Sequence, residues 1–139
     1  MAKTNGKRNR AAGHAYELEV VTAFKNAGFA HVVTSRNESR LRDAQKIDVV
    51  NRNEFKVGRL PYNVQCKSVS GKLAYPKVLS ELPKEKDIIN VVLHKQTVKA
   101  ATNFITKDRF AIMYQADFFA LIKELNQLKS KKKDENISD

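Results

Sequence analysis

Ile47-Asp48-Val49-Val50 is followed, past a turn region carrying Gly58 and Pro61, by Tyr62-Asn63-Val64-Gln65-Cys66-Lys67-Ser68. Both stretches are bounded by turn residues and read as strands, over Ile47 to Asn51 and Tyr62 to Val69. Residues i and i+2 of a strand share a face, so Gln65 and Lys67 emerge side by side and Cys66 points the other way. An amide oxygen and an ammonium set beside a strand carboxylate are pieces of metal-assisted phosphodiester hydrolysis.

Outward from these strands, the pattern predicts a helix over residues 14 to 27, closed by Gly28 as a C-terminal glycine stop. A short strand from His31 to Thr34 leads into a polar, basic connection from Ser35 to Lys46. Beyond the central strands, a short helix over Pro76 to Leu82 precedes the apolar strand Ile88 to Leu93, which reads as buried on both faces. A strand over Arg109 to Tyr114 and a helix over Ala116 to Leu128 complete the set, the helix lining Phe118, Leu121, Ile122 and Leu125 along one stripe. The order α, β, β, β, α, β, β, α predicts an α/β fold with a central mixed sheet flanked by helices. Residues 1 to 13, with Lys3, Lys7, Arg8 and Arg10 and no acid, read as a flexible basic arm, residues 14 to 128 as one domain, and Lys129 to Asp139 as a flexible tail.

The first helix adds an acid. Its apolar stripe runs through Val20, Val21 and Phe24, and stepping back three and four residues lands on Glu17. A carboxylate aimed at a sheet is costly without a partner, and a cation or Lys67 would supply one; an edge position reaching water is the plainer alternative. Glu19 falls to the side of the stripe, where a solvated charge costs nothing. Asp48 also fits an ordinary turn residue opening a strand, and Gln65 with Lys67 also fits the wet face of a half-exposed strand.

Charge narrows the partner. The 139 residues hold 26 Lys+Arg against 15 Asp+Glu, a formal net charge of +11, which draws the chain to a polyanion, nucleic acid being the commonest. No apolar run approaches the roughly 20 residues that cross a bilayer, and no apolar stretch follows the basic N-terminus as in a secretion signal. The single cysteine can form no intrachain disulfide. A soluble protein of a reducing compartment, with no membrane association, is the expectation. No glycine-rich phosphate loop is present, which argues against an NTPase, and His14, His31 and His94 lack metal-ligand spacing and are given no role.

Helix Glu, strand Asp, then strand Gln-x-Lys in a small basic α/β domain resembles the PD-(D/E)XK nuclease superfamily. Within it, the chain is most similar to the archaeal-type Holliday junction resolvases and their phage-borne relatives, since Glu17 stands eleven residues before Gly28-Phe29. The likeness is specific over roughly residues 13 to 69. It implies a restriction-endonuclease-like core, with Glu17 as the helix acid, Asp48 as the strand acid and Lys67 as the motif lysine. Gln65 stands where a carboxylate is usual, and Ile47 where proline is usual. A glutamine still offers a carbonyl oxygen to a hard cation, with one negative charge fewer.

The resemblance further implies that Glu17, Asp48, Gln65 and the carbonyl of Cys66 hold Mg²⁺ or Mn²⁺, that Lys67 orients the attacking water, and that DNA is hydrolysed to a 5′-phosphate. Ser35, Arg36, Arg40, Arg42 and Lys46, in the connection before Asp48, are the expected DNA contacts; a solvated loop is the alternative for each. Asp43 fits an extra metal ligand or, more simply, an ion pair with Arg40 or Arg42. Cys66 reads as a small core residue. Family analogy adds a homodimer acting on branched DNA in the cytoplasm of a bacterial, archaeal or phage-infected cell. The competing class is a noncatalytic basic DNA-binding protein, and a nuclease for another DNA structure is the nearer alternative.

Overall fold

A computed structural model describes the backbone over residues 2–137 and the side chains over residues 9–136. Helix α1 (Ala2–Asn26) leads into strand β1 (Val32–Thr34), two short helices, α2 (Ser35–Glu38) and α3 (Arg40–Ala44), and strand β2 (Val49–Asn51). Helix α4 (Glu54–Val57) separates β2 from β3 (Tyr62–Ser70), and α5 (Tyr75–Ser80) connects β3 to β4 (Ile89–Ala100). Strand β5 (Asn103–Met113) and helix α6 (Gln115–Ile137) follow. The chain is thus α/β, with the expected order of long elements and three added short helices.

The five strands form one mixed sheet in the order β1-β2-β3-β4-β5. Only β3 and β4 run parallel, joined by the crossover through α5; the other pairs are antiparallel. Adjacent strand residues face opposite sides, so Val91 belongs to the core under α1, with Tyr16, Val20, Val21 and Val64, whereas Val92 packs with Val78, Leu79 and Leu82 of the α5 side. That alternation fits the expected two-sided burial of this strand.

Helix α1 ends where its glycine allows. Gly28 adopts φ +105°, and the N–H of Phe29 reaches back to the carbonyl of Phe24 at 3.0 Å, which places the Phe29 ring against Phe24 and Tyr62. The helix begins far before residue 14, however. Residues 2–13, expected as a flexible arm, continue it; they contain no proline, and Ala11 and Ala12 favour the helix. The side chains of Lys3, Lys7 and Arg8 lie outside the described residues. Helix α6 likewise runs on through Lys129 to Lys133, where a flexible tail is expected, because lysines are good helix formers. Ser138 and Asp139 lie outside the described residues.

Two further corrections concern strand length and charge. Strand β4 extends past Leu93 to Ala100 and pairs with β5 through a hairpin bulged at Gln96/Thr97. Glu19, expected to be free in solvent, accepts a hydrogen bond from Arg109 at 2.6 Å and lies 3.9 Å from Lys95, tying α1 to that hairpin. No helix among the described residues is long and apolar enough to cross a membrane.

Candidate active site

β2 is short, and its pairing with β3 is confined to Val49 opposite Val64. Extending that register one step sets Asp48 across from Gln65. There the strands part: the Asp48 N–H donates to the Val64 carbonyl at 2.8 Å, but the Cys66 N–H donates to a side chain, Asp48 Oδ2, at 2.7 Å. A carboxylate thus takes the place of a backbone acceptor, and a split opens in the sheet at Asp48.

Three elements converge on this split. From the α1 side comes Glu17, 4 % exposed, on the packed face to which the helical stripe assigned it and near enough to Asp48 to raise its carboxyl. From β3, Gln65 and Lys67 emerge on the α5 side, alternating with Val64 and Cys66, which pack toward α1; their partners in the parallel register, Val92 and His94, confirm the side. Asp48 lies between, sensing both Glu17 and the Lys67 ammonium.

The electrostatics follow from burial. Removal from water, aided by the adjacent Glu17 carboxyl and opposed by the Cys66 N–H and Lys67, pushes the Asp48 carboxyl up to about 7. The Cys66 thiol is pushed well above its usual range, by burial first and then by Asp48 and Glu17. It is therefore an inert small residue against the α1 core, as its position on the strand indicates.

The partner of Glu17 is Arg36, whose Nε donates to Glu17 Oε2 and whose guanidinium this contact holds more firmly protonated. Neither the cation nor Lys67 expected from the sequence is required to explain that acid's burial. His14 Nδ1 is 3.5 Å from the same oxygen. Sequence reading gave His14 no role, although its position three residues before Glu17 on one helix was a usable signal.

Gln65 is 6 % exposed and its Oε1 has no hydrogen-bond donor; Ser35 Oγ is likewise buried and unpartnered. Buried polar atoms left without a protein partner are uncommon, and the Gln65 oxygen is free to accept from or coordinate a further group. An amide oxygen, two carboxylates and a backbone carbonyl form an all-oxygen donor set suited to a hard divalent cation. Among the described residues there is no cluster of three or more His, Cys, Asp or Glu side chains that could hold a metal; the set beside Asp48 has two acids, its other oxygens coming from an amide and a peptide.

The basic connection divides by role. Ser35 is fully buried, so its hydroxyl does not reach the surface; its N–H donates to the Asp48 carbonyl at 2.9 Å and fixes the strand acid from behind. Arg42 donates to Glu54 at 2.9 Å and to Gln45 at 3.0 Å, anchoring α3 to α4. Asp43, expected to pair with Arg40 or Arg42, makes no ion pair with either. Arg36, Arg40 and Lys46 are exposed. On the α5 side, His94 is fully buried opposite Lys67, its Nε2–H donating to the Val69 carbonyl at 3.2 Å and its Nδ1 bonded to Tyr75 Oη at 2.9 Å, which braces the strand that carries the lysine.

Comparison with protein-family models, with curated proteins and with solved structures gives no match.

Proposed function

We propose that this chain is a metal-dependent DNA endonuclease of the PD-(D/E)XK type, with a restriction-endonuclease-like core, acting on branched DNA and foremost on four-way junctions. The observation that carries this reading is the split beside Asp48, where one carboxylate accepts from the Cys66 peptide, a second, Glu17, lies close by, and the buried Gln65 Oε1 lacks a donor. Glu17, Asp48, Gln65 and the Cys66 carbonyl would hold Mg²⁺ or Mn²⁺. When bound, the ion stabilises charge on the phosphate oxygens and lowers the pKa of the attacking water.

The protein's own groups do the rest. Lys67, steadied by the buried His94–Tyr75 pair beneath its strand, orients the water and offsets charge on the phosphate. Arg36, Arg40 and Lys46 contact phosphates flanking the cleaved bond and set its register, while Ser35 and Arg42 hold the connection that presents them. Symmetric cutting of two strands requires two such sites, which a homodimer provides. The reading places the enzyme in the cytoplasm.

One observation favours a second reading, a noncatalytic basic DNA-binding protein: Arg36 already neutralises Glu17. Labelled four-way junction, duplex and single-stranded DNA, incubated with Mg²⁺ and then with a chelator, separate the two. The nuclease reading expects metal-dependent cutting of the junction that Lys67→Ala abolishes while junction binding persists. Binding without cutting under either Mg²⁺ or Mn²⁺ supports the second reading instead.

A further inference from the structure

Helix α6 carries an apolar ridge that its own chain leaves uncovered. Phe118, Phe119, Ile122, Leu125 and Leu128 are between 43 % and 59 % exposed, and all but Phe119 repeat at the spacing of one helical face. A single residue, Tyr114, separates β5 from α6, and the first turn continues through Phe118 N–H to the Tyr114 carbonyl at 3.1 Å. The helix thus starts directly at the end of the strand, and its apolar face stays exposed.

The same chain also carries an uncovered apolar groove. It lies on the α1 side of the sheet, has a volume of about 330 Å³ and is lined by Ala23, Phe24, Ala27, Phe29, Leu93 and Met113, among others. Its only flanking helix is α1, whose small Ala23 and Ala27 leave room for bulky side chains to approach. Other large apolar side chains are exposed on this chain of formal net charge +11, Phe55 and Phe104 among them, but the ridge and the groove are each a run of several apolar residues, and contiguous apolar patches mark interaction sites.

We propose that α6 of one copy lies in this groove of a second copy, and reciprocally. Ridge and groove belong to one sequence, so a two-fold arrangement satisfies both at once and closes on itself without further growth. Half-exposed side chains of this size offer on the order of 100 Å² each, so the five residues of each ridge bring about 1,000 Å² to a two-fold contact, and with the groove walls the total reaches the lower end of the roughly 1,200–2,000 Å² of stable interfaces. Met113 ends β5 and lines the groove, so the root of each α6 starts beside the groove that receives its partner's helix. The groove lies roughly two turns along α1 from Glu17, so the partner helix clamps the element that delivers the helix acid. That consequence rests on the nuclease reading; the interface itself does not.

Three proteins test the exchange by sedimentation equilibrium: the wild type, a ridge variant (Phe118→Asp/Ile122→Asp) and a groove variant (Ala23→Glu/Ala27→Glu), each checked for helix content by circular dichroism. All four substituted positions are at least partly exposed, so the folds persist. The wild type is expected at twice the 15.8 kDa of one chain, and each variant alone as a monomer. An equal mixture of the two variants recovers dimer, because it restores one intact ridge-in-groove contact. A monomeric wild type, a dimeric variant, or a mixture without recovery overturns the proposal; the last result indicates ridge-on-ridge or groove-on-groove association. A monomer that still cuts junctions refutes the interface alone, and a dimer of this kind that never cuts refutes the nuclease reading alone.

Discussion

Asp48→Asn separates the charge of the site from its shape. In the metal-free protein the Asp48 carboxyl is raised to about 7, chiefly by burial, so the folded state binds this proton more tightly than the unfolded chain. Stability from that proton is fully present below the ordinary carboxylate pKa near 4 and is lost as pH rises toward 7. A difference of roughly three pKa units at 1.36 kcal/mol each sets an upper limit of about 4 kcal/mol. Asparagine reproduces the protonated acid: its oxygen accepts from the Cys66 N–H, as Asp48 Oδ2 does at 2.7 Å, and its amide donates toward Glu17. At pH 8 in a chelator the variant should therefore melt roughly 5–12 °C above wild type, at about 3 °C per kcal/mol for a domain of this size. At pH 4 the two should coincide. Scanning calorimetry at both pH values makes the comparison, and adding Mg²⁺ at pH 8 should raise only the wild-type midpoint. A variant less stable than wild type at pH 8 refutes the claim that Asp48 is a buried acid short of a cation.

Two other substitutions probe the same site. Gln65→Glu adds a third acid; if the nuclease reading holds, it should lower the Mg²⁺ concentration for half-maximal cutting about tenfold, while lowering metal-free stability at pH 8. Unchanged metal dependence in a titration of cleavage rates would place Gln65 outside the donor set. Arg36→Ala leaves the buried Glu17 without its counter-charge, so denaturant unfolding without metal should lose roughly 1–3 kcal/mol, with part returned by Mg²⁺. The same variant should flatten the salt dependence of junction binding by about one unit of slope if Arg36 also meets a phosphate.

Glu17 was legible because helical periodicity and the Gly28-Phe29 stop placed one acid on an apolar face, and it is 4 % exposed. Gln65 and Lys67 were legible because strand alternation requires no knowledge of the partner strand. The pairing of Glu17 with Arg36 was not: the residues lie 19 apart, and the connection bearing Arg36 has no apolar period to reveal its two short helices. Its cations looked alike in sequence, yet Arg42 is held by Glu54 and Arg40 is exposed, a distinction made only by the position of α4. The outer half of the β4–β5 hairpin was missed because it lies beyond the core and β5 is exposed along nearly its whole length, so no apolar run marks it. The α6 stripe shows a complementary limit. Periodicity identifies a face that needs cover, whereas only the three-dimensional arrangement shows that this face stays exposed.

Mn²⁺ binding measured by electron paramagnetic resonance tests the metal site most directly, without DNA or turnover. One ion per chain in the wild type, displaced by Mg²⁺ and lost in Asp48→Asn, is the predicted result. Absence of binding at millimolar Mn²⁺, or binding indifferent to Asp48→Asn, would contradict the assignment of the split between β2 and β3 as a metal centre.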